Sequence, residues 1–225
     1  MVIEIPALFT PEEVREMRAL LEGADWSGGS ATAGHRATRV KDNEQLPLDA
    51  PLARELGGKV LQRLSVTPLF VAAALPCRVL PPRFSRYAGQ GSYGTHIDNA
   101  IFPVGNGDHV RSDVSATLFL SDPAEYDGGE LTIQDTFGDH SVKLPAGHLI
   151  LYPGSSLHRV KPVTRGVRFA AFFWTQSFVP SAEQRRLLFD LDDAIQALGS
   201  DHPEHGAIDT LTGVYHNLLR QWSQT

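Results

Sequence analysis

The sequence predicts a mainly β fold with flanking helices. Three observations point to it. From about Leu75 to Phe178, short segments rich in Val, Phe, Tyr, Leu and Thr alternate with turn clusters, the texture of an all-β sandwich or barrel. On either side, apolar residues recur at helical spacing behind capping residues. A length of 225 residues, 42% hydrophobic and 20% charged, suits one globular domain with appendages that can bury a core without disulfides or metal staples. The expected division is an N-terminal helical part over 1–74 packing on the core, a β core over 75–178 and a C-terminal helical part over 179–225.

Taken in order, Thr10-Pro-Glu-Glu13 opens a helix. Thr10 caps, Pro11 suits the first turn, and Glu13 completes a capping box. Val14, Met17, Leu20 and Leu21 share a face, and Gly23 marks the stop. Residues 24–48 read as short strands and loops. A second helix starts at Asp49-Ala-Pro51 with Leu52, Leu56, Val60 and Leu64 on a stripe, weakened by Gly57-Gly58. Candidate strands are Arg78–Tyr87, Asp113–Ser121, Glu130–Gln134, Ser141–Leu144, His148–Tyr152 and Val167–Gln176. Tyr126-Asp-Gly-Gly-Glu130 is a turn whose glycines supply positive φ. Ser181 and Gln184 then start a helix carrying Leu187, Leu188, Leu191, Ile195 and Leu198, with Gly199 as its stop. A last helix carries Ile208, Leu211, Tyr215, Leu218, Leu219 and Trp222.

Composition narrows the function classes. A net charge of −6 without a dense Lys/Arg cluster gives no footprint for nucleic acid. One cysteine, Cys77, allows no intrachain disulfide and fits a reducing compartment. The N-terminus lacks the basic start and long apolar core of a secretory signal, and the longest apolar run, Leu69 to Leu75, is too short to span a bilayer. A cytoplasmic protein without a membrane partner is expected.

The chemistry gathers around Arg86 to Ala100. His96 and Asp98 stand two apart, so on extended backbone they project to one face as two adjacent ligands for a divalent metal. Among the nine histidines, His158 is the candidate third ligand. It follows the turn cluster Pro153-Gly-Ser-Ser and precedes the apolar strand around Val167. In a barrel, strands that far apart in sequence can face one another, and two His with one carboxylate form the facial triad that leaves open positions on Fe(II). Arg168 lies on a strand apolar on both faces, so it is expected to be buried and to need an anionic partner. No acidic residue stands nearby in sequence, so a ligand carboxylate is a reasonable partner. A keto diacid that chelates iron at one end and meets Arg168 at the other is 2-oxoglutarate.

These residues carry a family likeness. Arg86-Tyr87, Tyr93-Gly-Thr-His96-Ile-Asp98-Asn-Ala100, Arg111-Ser-Asp-Val-Ser-Ala-Thr-Leu-Phe-Leu-Ser-Asp122 and Tyr126-Asp-Gly-Gly-Glu-Leu131 contribute to it. So do Lys143-Leu-Pro-Ala-Gly147, Leu151-Tyr-Pro153, Ser155-Ser-Leu-His158-Arg-Val160 and Phe172-Phe-Trp174. The chain resembles the Fe(II)/2-oxoglutarate dioxygenases of the prolyl/lysyl-hydroxylase-domain type, in particular the bacterial PKHD-type hydroxylases associated with iron uptake. The resemblance implies a double-stranded β-helix (jelly-roll) core, Fe(II) held by His96, Asp98 and His158, and the distal carboxylate of 2-oxoglutarate on Arg168. It also implies that Tyr87 hydrogen-bonds 2-oxoglutarate, a role for which Tyr93 and Tyr152 compete, and that ascorbate serves as reductant. Oxygen is then consumed in oxidative decarboxylation to succinate and carbon dioxide, with a hydroxyl delivered to the substrate. Related halogenases replace the carboxylate ligand with a small residue, so Asp98 argues for hydroxylation.

The substrate implied by the iron-uptake link is a siderophore or related small molecule, with prolyl or lysyl residues of a protein as the alternative. Two other classes compete: a non-catalytic sensor of iron or 2-oxoglutarate, and a zinc hydrolase using the same ligands, in which Arg168 has no role. Taken singly, each signal has a plainer explanation: His-x-Asp is commonly a surface hydrogen bond, Arg168 an ion-pair partner, and Ser115 and Thr117 structural hydroxyls that share a strand face. The C-terminal leucine stripes are read as core or as the interface of a homo-oligomer.

Overall fold

The computed structural model describes residues 1–29, 40–135 and 138–224. Five α-helices occur among them: α1 (Pro11–Glu22), α2 (Pro51–Ser65), α3 (Pro68–Ala74), α4 (Ala182–Asp201) and α5 (Ala207–Trp222). Between α3 and α4 the described chain consists of strands, turns and one 3-10 turn. Part of the 24–48 segment read as short strands and loops lies outside the described residues. Its described ends form the short strands Ser27–Gly28, Lys41–Asp42 and Glu44–Gln45.

Two antiparallel sheets make the core. The larger runs in the order Ile3–Ile5, Leu149–Pro153, Val114–Phe119, Arg168–Ser177, Arg83–Tyr87, Glu44–Gln45, Ser27–Gly28, and Pro76–Val79 pairs with the far end of Arg168–Ser177. The smaller runs Gly138–Val142, Leu131–Asp135, His158–Val160, Ser92–His96, Lys41–Asp42. One face of the larger sheet, including Phe84, Ala116, Leu118, Ala171 and Phe173, packs on helix residues such as Val14, Leu21, Leu56 and Val60. The other face brings Tyr87, Ile150 and Tyr152 against Leu131, Ile133 and Val160 of the smaller sheet. This double burial explains why the Arg168–Ser177 strand is apolar on both sides, as central strands covered on both faces must be. The arrangement is the jelly roll expected from the sequence.

The helix starts form as their local chemistry dictates. Thr10 accepts from the Glu13 amide while the Glu13 carboxylate accepts from the Thr10 amide, a complete capping box. Ser181 likewise accepts from the Gln184 amide. Three expectations need correction. The segment Arg78–Tyr87 is two strands rather than one, because Pro81 and Pro82 lack the amides a continuous ladder needs. Gly57-Gly58 does not interrupt α2, whose buried stripe of Ala53, Leu56, Val60 and Leu64 outweighs about 1 kcal/mol per glycine. Gly199 does not stop α4, which runs on to Asp201 before His202 ends it.

The C-terminal helices are fastened to the core. Arg185 is buried and donates to the carbonyls of Val179, Pro180 and Asp113. Leu75, Val179 and Leu188 collect Tyr215, Leu218, Leu219 and Trp222 of α5 around them. Among the described residues no helix is long and apolar enough to cross a membrane.

Candidate metal centre and ligand cavity

His96 ends the Ser92–His96 strand and His158 begins His158–Val160; the two stand opposite one another in the ladder. Asp98 follows two residues beyond His96, and the intervening Ile97, 53% exposed, stands at the edge of the cavity. Ligand atoms of His96, Asp98 and His158 all lie within 4.8 Å of one another. The register shifts between the His158/His96 and Val160/Tyr93 pairs, so three residue steps on one strand answer two on the other. This bulge lets Tyr93 and His96, which simple alternation would place on opposite faces, both face the cavity, their rings stacked at 3.5 Å.

The donor set suits a divalent metal. Each imidazole donates Nδ1–H to a carbonyl, His96 to Gly94 at 2.8 Å and His158 to Ser156 at 3.0 Å. Carbonyls only accept, so in the neutral rings Nε2 carries the lone pair. Burial, and then His158, holds the pKa of His96 down at about 4 against the opposing pull of the Gly94 bond and Asp98, so the ring is neutral near pH 7. The Nε2 atoms lie 3.9 Å and 3.8 Å from the Asp98 oxygens, too far for hydrogen bonds, so the carboxylate does not consume their lone pairs. Ser115 donates to Asp98 Oδ2 at 2.7 Å and fixes its orientation. Ser115 was legible only as one of two hydroxyls on a strand face, since no local signal names a partner so far along the chain.

Arg168 lines the same cavity, which encloses about 730 Å³ with its mouth included. Its residue is 2% exposed, yet Nε and one terminal nitrogen have no hydrogen-bond partner among the described residues. The guanidinium lies over the rings of Tyr87 and Phe119, 5.3 Å and 5.2 Å away. A buried guanidinium without an acid is costly, and donors left open toward a cavity fit an anionic ligand. The turn at Gly128 and Gly129 makes room for it. Both glycines have positive φ, and a Cβ on Gly129 would come within 3.0 Å of Arg168 Cδ and closer still to Tyr126 and Val163.

Tyr87 is buried directly opposite Arg168 in the ladder and lines the cavity, as do Tyr93 and Tyr152. Burial raises the pKa of all three phenols, so they act as neutral donors. Thr117 lines the wall beside Ser115. Other histidines stand apart: His148 meets Glu4 and His140 meets Asp135 at the surface. Sequence reasoning missed Lys41, which reaches the cavity from the edge of the smaller sheet.

Known proteins resemble this chain in sequence and fold. Residues 82–176 match the profile of the 2OG-Fe(II) oxygenase superfamily, and residues 183–224 match that of the PKHD-type hydroxylase C-terminal domain. The chain is 59% identical over 225 residues to the PKHD-type hydroxylase PSPA7_5129 of Pseudomonas paraeruginosa, covering 100% of both chains. It is 58% identical to the PKHD-type hydroxylase PiuC of Pseudomonas aeruginosa, again over 100% of both. Among solved structures, a Pseudomonas putida prolyl-4-hydroxylase superposes with a TM-score of 0.55 at 20% identity, covering 78% of this chain and 92% of that one. At that identity the likeness is one of fold.

Proposed function

The chain belongs to the PKHD-type hydroxylase family of Fe(II)- and 2-oxoglutarate-dependent oxygenases, and from this we propose how its cavity works. His96, Asp98 and His158 hold Fe(II). Arg168 binds the distal carboxylate of 2-oxoglutarate, and Tyr87 donates its phenolic hydrogen to the same molecule. Bound Fe(II), with oxygen and 2-oxoglutarate, supplies the oxidative decarboxylation to succinate and carbon dioxide and the hydroxylation of a substrate C–H bond. The observation that carries the reading is the meeting of two imidazoles and one carboxylate in the same cavity as a buried guanidinium with open donors.

Each residue has a definite task. His96 and His158 present Nε2 lone pairs because their Nδ1 hydrogens are engaged by backbone carbonyls. Asp98 offers charge, and Ser115 holds the carboxylate in place. Arg168 neutralises and orients the cosubstrate, while Leu131, Val160 and Phe172 supply apolar wall that excludes water. Ascorbate is the reductant that keeps the iron ferrous. The substrate is a small molecule of the siderophore kind handled in the cytoplasm; the iron-uptake association of the family supports this. The enzyme works without nucleic acid or membrane partners, and the outer face of the C-terminal helices joins two copies, supported by the exposed Leu187 and Val214.

The test is oxygen-dependent succinate release from 2-oxoglutarate by Fe(II)-loaded protein, compared anaerobically and in air. Wild-type chain is expected to release succinate only in air, and His96→Ala or Asp98→Ala to abolish it. Absence of oxygen-dependent succinate from the wild-type chain would sink the reading.

A further inference from the structure

Beside the cavity, against two of its lining rings, stands a second cation that the cosubstrate does not use. On the Arg83–Tyr87 strand, Arg83, Ser85 and Tyr87 share one face by alternation, and Ser85 and Tyr87 line the cavity. Arg168 stands opposite Tyr87 in the ladder, whereas Phe172 stands opposite Arg83. The two arginines are therefore set roughly 13 Å apart along one sheet face, four strand residues at about 3.3 Å each. A five-carbon diacid held at Arg168 does not reach that far.

Arg83 is half-buried, with its guanidinium over the rings of Phe102 and Trp174 at 5.8 Å and 5.1 Å. It makes no ion pair among the described residues. Lys41 approaches from the opposite sheet, its ammonium over Tyr93 and Phe172 at 5.0 Å and 5.8 Å. Arg83 disfavours the charge on Lys41, after burial, and Asp98 favours the charge on both. On the function proposed above, on which this inference rests, the Asp98 charge belongs to the metal. That leaves Arg83 as a guanidinium without an acid among the described residues, set against the aromatic rings of Phe102 and Trp174 that line the cavity together with exposed Ile97.

We propose that Arg83, with Lys41 beside it, binds the anionic group of the hydroxylated substrate, which is a small organic acid with a flat or apolar body. An anion beside Arg83 gains charge-assisted hydrogen bonds in a partly dry site, which a neutral peptide segment does not offer.

The experiment measures binding to Fe(II)-loaded protein without oxygen by calorimetry, with 2-oxoglutarate saturating. The probes are matched pairs of acid and alcohol: benzoate and benzyl alcohol, 3-phenylpropionate and 3-phenylpropanol, octanoate and octanol. At least one acid is expected to bind more tightly than its alcohol. Arg83→Gln is expected to lower that acid's affinity about ten- to a hundred-fold more than it lowers the affinity for 2-oxoglutarate, and Arg83→Lys to restore part of the loss. A thermal shift on adding 2-oxoglutarate verifies that the variants are folded. Equal binding of acids and alcohols overturns the inference, as does an acid preference that survives Arg83→Gln. If wild-type protein fails to bind 2-oxoglutarate, the function proposed above is what fails. The acid and alcohol pairs, repeated in Arg168→Gln without 2-oxoglutarate, then decide the substrate inference alone.

Discussion

Replacing Arg168 with methionine should raise the stability of the ligand-free protein while abolishing its response to 2-oxoglutarate. Two guanidinium nitrogens are buried without partners among the described residues, and each unsatisfied donor costs about 1–3 kcal/mol, so removing both relieves about 2–6 kcal/mol. Methionine forfeits the contacts with the Tyr87 and Phe119 rings, at about 0.5–2 kcal/mol each. The balance favours the variant by about 1–2 kcal/mol, or a rise of about 2–8 °C in Tm for a chain of this size. Wild-type protein, in contrast, should gain about 2.7 kcal/mol when 2-oxoglutarate is present at about a hundred times its Kd with metal bound, and Arg168→Met should gain none. Thermal unfolding with and without 2-oxoglutarate, followed by circular dichroism, reads both effects. A ligand-free variant that melts several degrees below wild type would refute the idea that Arg168 awaits an anion. So would a variant that 2-oxoglutarate stabilises as much as wild type.

Three further outcomes are expected. Ser115→Ala, which removes the 2.7 Å bond to Asp98, should weaken metal binding about 10–100-fold in an Fe(II) titration, and unchanged affinity would show that Asp98 needs no such support. Gly129→Ala combines positive φ with a Cβ crowded by Tyr126, Val163 and Arg168; it should cost about 1–3 kcal/mol in urea unfolding and weaken 2-oxoglutarate binding, and a neutral effect on both would count against the cradle. Burial, and then Arg83, lowers the pKa of Lys41 from 10.5 to about 8. Below pH 8 the folded chain bears the full penalty of that charge. Between about 8 and 10.5 the folded state has shed a proton that the unfolded state keeps, so this contribution makes unfolding free energy rise with pH. Urea midpoints at about pH 7.5 and about pH 9.5 should separate more in wild type than in Lys41→Met, and equal separations would contradict the assignment.

What could be read from the sequence was mostly what is local. The capping residues Thr10, Glu13 and Ser181 marked helix starts because their bonds close within three residues. His96 and Asp98 were legible as a pair because residues two apart on extended backbone project to one face. Pro81-Pro82 carried enough information to split the strand predicted over Arg78–Tyr87, since two missing amides interrupt any ladder. Pairing across the sheet was less accessible. That His158 meets His96 depends on register, and that Tyr93 faces the cavity beside His96 depends on a bulge. The roles of Ser115, Lys41 and Arg83 were hidden for the same reason, because their neighbours come from strands and turns distant in sequence.

The opposition of His96 and His158 in one ladder also makes metal loading a proofreading readout. Side chains on a strand change face with every residue, so a slip of one position would turn either imidazole away from the cavity. Such a slip would also turn the buried Val160 out of the core, and the slipped molecule would lack the metal triad. Iron stoichiometry in a purified preparation therefore counts the molecules whose smaller sheet has zipped correctly, a quantity that circular dichroism does not see.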